Sequence, residues 1–126
     1  MRRSVTFALG LVLALAACGG GGGGGGGGSS NAPVKPGARQ ITVDAQNYDF
    51  KPNNLTVKAG ENIAIKLHSE DSLHNFTIQN KGLVVSVDPG KTATGGFTLA
   101  KAGKYTFYCS IPGHRAAGMV GTITVT

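Results

Sequence analysis

The segment YTFYCSIPGHRAAGMVG, running from Tyr105 to Gly121, holds a thiol, an imidazole and a thioether. Four residues separate Cys109 from His114, and four more separate His114 from Met119. Ahead of the thiol, Tyr105 and Phe107 share its parity, and Val120–Thr126 forms a second β-like run behind it. Two strands joined by a short loop bearing Pro112 and Gly113 would gather the three side chains at one end of a sheet. A soft thiolate beside an imidazole suits copper or zinc, and a thioether as the further donor shifts the balance to copper.

Outward from this segment, short alternating runs separated by turn residues begin at Gln40, and none has a helical period. Gln40–Ala45, Leu55–Lys58, Ile63–His68, His74–Gln79, Leu83–Val87, Ala93–Leu99, Lys104–Cys109 and Val120–Thr126 read as strands, with Tyr48–Asn54 as a connection. About eight short strands in about 90 residues predict an all-β sandwich. His74 is in line with Phe76 and Ile78, so it and Cys109 are expected to face inward at the same end. His68 has the opposite parity to Ile65 and Leu67 and is expected at the surface.

The Cys109-x4-His114-x4-Met119 loop, the upstream His74-Asn75-Phe76 and the flanking strands resemble the cupredoxins, the type 1 blue-copper proteins. The resemblance covers roughly Ala38–Thr126, and the loop spacing is most similar to rusticyanin- and sulfocyanin-like members. It implies a Greek-key β-sandwich holding one copper, with His74, Cys109 and His114 as ligands and Met119 as the long, weak axial partner. It further implies that the Asn75 side chain ties the His74 segment to the Cys109–Ser110 loop. The activity implied is the shuttling of single electrons, without catalysis. Small apolar residues around His114 (Ile111, Pro112, Ala116, Ala117) would leave its imidazole edge near a dry patch suited to docking a redox protein, such as a cytochrome or a terminal oxidase. Arg115 would favour an acidic partner. Tyr108 should face outward, either covering the sheet or serving as a second electron port. A copper-binding buffer or delivery protein of the envelope uses the same ligand types. A copper enzyme with a second metal centre would need more imidazoles than the remaining His68 supplies.

The first 17 residues combine Arg2 and Arg3 with an apolar stretch, Val5–Ala17, too short for a permanent span of about 20 residues. Leu15-Ala16-Ala17-Cys18 resembles a bacterial lipobox, which implies removal of residues 1–17 and lipidation of Cys18; an ordinary secretory leader is the other reading. Residues 18–37, with unbroken glycine from Gly19 to Gly28, read as a disordered tether with a reach of roughly 25 Å. Residues 38–126 would then be the folded domain, expected as a monomer, exported and anchored through Cys18 to the cell envelope. Its place would be the periplasmic face of an inner or outer membrane, or the outer face of a monoderm membrane. The formal charge of +6 falls to +4 without the leader, and the lysines are scattered singly. With no basic run or aromatic-interleaved patch, nucleic acid is not an expected partner. A Cys18–Cys109 disulfide is allowed by count alone, but lipidation of Cys18 would leave Cys109 unpaired, and metal ligation accounts for such a thiol.

Overall fold

The computed structural model describes residues 31–126. The expected leader, lipidated Cys18 and glycine run lie outside the described residues. Nine strands follow in order: β1 (Arg39–Gln46), β2 (Asp49–Lys51), β3 (Asn54–Val57), β4 (Asn62–Ser69), β5 (His74–Ile78), β6 (Gly82–Val87), β7 (Thr92–Thr98), β8 (Gly103–Tyr108) and β9 (Val120–Val125). They form two facing sheets, one ordered β2-β1-β4-β7 and the other β3-β9-β8-β5-β6. The pairs β1–β4 and β3–β9 are parallel and the other pairs antiparallel, consistent with a Greek-key β-sandwich. No helix occurs among the described residues.

Alternation accounts for most of this. Along β9 the buried positions are Gly121, Ile123 and Val125, each separated by a partly exposed neighbour, as a strand with one face on a core requires. The core is centred on Phe50, Phe76 and Phe107, all at most 1 % exposed. Phe76 stacks on Phe107 with centroids 4.3 Å apart, and Phe50 meets Phe107 at 5.1 Å. Each such burial contributes roughly 1.5–3 kcal/mol.

One expectation changes. The ninth strand, β2, lies within Tyr48–Asn54, which reads as a connection in sequence. Three residues are too few to show a period. Pairing with β1 (Ala45 opposite Phe50) forms the strand and carries Phe50 into the core. Residues upstream of the expected domain start at 38 also bond to the sandwich. The Ala32 N–H donates to Val84 O at 2.8 Å, Ala32 O accepts from Gly96 N–H at 3.0 Å, and Asn31 Oδ1 accepts from Ser86 N–H at 2.9 Å. This segment therefore bridges β6 and β7, the edge strands of the two sheets. Gly96 permits the approach, since a Cβ there would lie 2.5 Å from Pro33 O. Partners more than 50 residues away left no local signal.

Candidate metal centre

The site begins where two strands part. β5 and β8 pair only at Thr77–Tyr108 and Ile78–Phe107. Beyond that point the ladder opens, and His74, Asn75 and Cys109 occupy the gap. The Asn75 amide closes it: its Oδ1 accepts from Ser110 N–H at 2.8 Å, and its Nδ2 donates to Ser110 Oγ at 2.7 Å. Thr77 Oγ1 donates to the same Oδ1 at 3.0 Å. All five residues of β5 are buried as a result, although only alternate ones face the core. The side-chain amide thus does what a backbone pair would do in a continuous ladder.

In the opening, the Asn75 N–H points at Cys109 Sγ, 3.5 Å away. Cys109 is fully buried. Burial pushes its thiol pKa up, against the opposing pull of the Asn75 and Ile111 N–H groups. The His74 ring, also fully buried, turns Nδ1 towards this sulfur at 4.0 Å. His114, partly exposed, brings its Nδ1 to 3.4 Å from the same atom. One ligand atom from each of the three residues falls within 4.8 Å of the others.

From Ile111 to Val120 the chain coils through consecutive turns. His114 N–H donates to Ile111 O, Ala117 N–H to Gly113 O, and Gly118 N–H to Arg115 O. Gly113 and Gly118 have φ of +84° and +111°, which side-chain-bearing residues rarely adopt. Two further bonds join the donor residues directly: Met119 N–H to His114 O at 3.1 Å, and Cys109 N–H to Met119 O at 3.2 Å. Met119 is fully buried in the core cluster that contains Cys109. The four candidate ligands therefore converge at one end of the sandwich, held by backbone bonds, with Asn75 and Ser110 bonded beside them.

Two neighbours of the site carry no evident sequence signal. Asp71 Oδ1 lies 2.7 Å from His74 Nε2. A carboxylate can only accept here, so Nε2 carries a proton, and in the neutral ring Nδ1 is the nitrogen whose lone pair faces the cluster. Burial raises the Asp71 pKa, but bonds from Asn47 N–H, the His74 ring and Ser72 N–H outweigh it, and the net shift is downward. The second neighbour is Tyr48, whose ring meets His114 edge-on with centroids 5.2 Å apart. An acid three residues before His74 was visible without its role; Tyr48 is 66 positions from its ring partner.

The expected docking residues Pro112, Ala116 and Ala117 are exposed, and Ile111 is half-buried. Tyr48 and Leu73 are two further exposed large apolar side chains at this end. Arg115 folds back over the outer face of the sheet, its guanidinium 4.1 Å from the Tyr108 ring centroid and bonded to Gln79. His68 is apart from the cluster: its side chain is 36 % exposed, and its Nδ1 is 2.9 Å from Thr92 Oγ1.

The chemistry of these donors fits copper: one thiol able to bind as thiolate, two imidazoles and a thioether in a largely buried setting. Comparison with known proteins agrees. The family model described as "Cupredoxin-like domain" matches residues 9–125. Cytochrome c oxidase subunit 2 of Thermus thermophilus is 33 % identical over 102 residues, spanning 76 % of this chain and 73 % of that protein. The copper-resistant cuproprotein CopI of Pseudomonas aeruginosa is 29 % identical over 138 residues, covering 70 % of this chain and 76 % of its own length. Plastocyanin of Cucumis sativus is 36 % identical over 88 residues, 60 % of this chain and 86 % of that one. Among solved structures, auracyanin B shares the fold with a TM-score of 0.65 at 21 % identity, over 79 % of this chain and 96 % of its own. His74, Cys109, His114 and Met119 are arranged as a type 1 copper site, and the chain belongs to the cupredoxin-like family.

Proposed function

We propose that this protein is a one-copper electron carrier of the cell envelope, anchored through a lipidated Cys18, and that His74, Cys109, His114 and Met119 ligate the metal. One observation carries the reading: three soft or borderline donor atoms lie within 4.8 Å of one another, bracketed by the Met119 backbone bonds. Copper supplies a reversible one-electron couple when bound. The chain's own part is to restrain the donors. The Asn75–Ser110 clamp, the consecutive turns and the core burial of Cys109 and Met119 limit rearrangement between oxidation states. His114 is the candidate ligand with an edge towards solvent, and the patch of Ile111, Pro112, Ala116, Ala117, Tyr48 and Leu73 beside it suits a redox protein such as a cytochrome or terminal oxidase. The role is that of a carrier, not an enzyme. The chain has three histidines, and the third, His68, is bound elsewhere. Copper titration of the full chain tests the reading. An intense thiolate-to-copper band with narrow copper hyperfine splitting, lost in Cys109→Ser and retuned in Met119→Gln, is the expected result. A pale spectrum indifferent to Cys109→Ser would overturn it.

Similarity to a copper-resistant cuproprotein supports a second reading, a buffer or delivery protein for envelope copper. Rapid copper transfer to an apo-acceptor without electron exchange with cytochromes would select it.

A further inference from the structure

We infer that Asp71 is a positioning residue that sets the reduction potential of the centre by holding His74 through its Nε2–H. The inference rests on the ligand assignment proposed above. Asp71 is the hub of the loop between β4 and β5. Its Oδ2 accepts from Asn47 N–H at 2.8 Å, while its Oδ1 accepts from Ser72 N–H at 2.7 Å and from the His74 ring at 2.7 Å. The loop is pinned from other sides as well. Ser72 Oγ donates to Asn47 Oδ1 at 2.8 Å and lies 3.2 Å from His74 Nε2, and the fully buried Ser69 hydroxyl donates to Ser72 O. Asp71 has 38 % of its side chain exposed, whereas the imidazole it holds is wholly buried.

A carboxylate with this many fixed donors has little freedom to follow the ring, so it fixes the orientation of the His74 ring. Its negative charge also increases the donor strength of the opposite nitrogen, as carboxylate–histidine pairs do at metal sites. A stronger, more negative donor set favours Cu(II) over Cu(I). The carboxylate therefore holds the potential down, while the Asn75–Ser110 clamp on the next residue governs geometry.

The test compares the wild-type full chain with Asp71→Asn. Asparagine retains an acceptor for Nε2–H and removes the charge. Loss of an outer partner typically costs 10–100-fold in metal affinity. The expectation is an approximately tenfold loss of affinity for Cu(II) with little change for Cu(I), which raises the potential by about 59 mV. The thiolate-to-copper band should persist. An unchanged potential, or equal loss for both oxidation states, would overturn the inference and leave Asp71 a loop brace. A second measurement needs no substitution: in the metal-free wild type, the His74 Nε2–H should give a slowly exchanging, downfield proton resonance. Its absence would overturn the inference even if Asp71→Asn failed to fold. If the wild type lacked the thiolate-to-copper band, the ligand assignment itself would fall, an outcome distinct from a normal band with an unmoved potential.

Discussion

Asn75→Ala is the substitution whose cost is set most directly by the geometry. It deletes the acceptor for Ser110 N–H at 2.8 Å and for Thr77 Oγ1 at 3.0 Å, and the donor to Ser110 Oγ at 2.7 Å. Ser110 is exposed, so water can replace its two lost partners, at about 0.5 kcal/mol each. Thr77 is only 7 % exposed, and its stranded hydroxyl adds about 1–3 kcal/mol. The sum is about 3 kcal/mol, or roughly 12–24 °C in melting temperature for a domain of this size. Urea and thermal unfolding of the metal-free protein would read it. Ser110→Ala, which removes only the Nδ2–Oγ bond, leaves the Nδ2 of Asn75, a residue 6 % exposed, without that acceptor and should cost about 1–3 kcal/mol. Adding Thr77→Val to Asn75→Ala should recover part of the loss, because the unpaired hydroxyl goes with it. A loss below about 0.5 kcal/mol in Asn75→Ala would refute the account of β5 and β8 as strands joined by a side-chain amide.

Gly121→Ala places a Cβ 2.2 Å from Phe107 Cζ and 2.6 Å from Asn53 O, so overpacking should cost about 1–3 kcal/mol by urea unfolding; an unchanged midpoint would contradict this packing. Glu61 bonds Arg39 at 2.9 and 3.0 Å, and that bond, with the Lys58 N–H, lowers its pKa from 4.5 to about 2. Its contribution is present above pH 4.5 and is lost as the pH falls towards 2. Relative to Glu61→Gln, the wild type should therefore lose stability over that window, and parallel acid-unfolding curves would count against the pair. His68→Ala should leave copper stoichiometry and the visible spectrum unchanged in a titration, because its ring is bound to Thr92 outside the cluster.

The spacing of Cys109, His114 and Met119, with a parity-matched His74, made the donor set readable before any fold. Alternation in the longer runs made the sandwich readable because a strand with one face on a core repeats every two residues. Eight of the nine strands appear in sequence within a residue or two of their bounds. β2 does not, since three residues carry no period and its formation depends on β1. Asp71, Tyr48 and the bridging segment at Ala32 share the same cause. Each acts through a contact whose geometry no local pattern encodes: a carboxylate turned onto an imidazole, a ring edge 66 residues from its partner, and a backbone bridge between edge strands. Chemical identity is carried by side-chain type and spacing, which are local. The orientation of His74, the tautomer that frees its Nδ1 and the opening between β5 and β8 arise only when distant segments pack and their polar groups find partners.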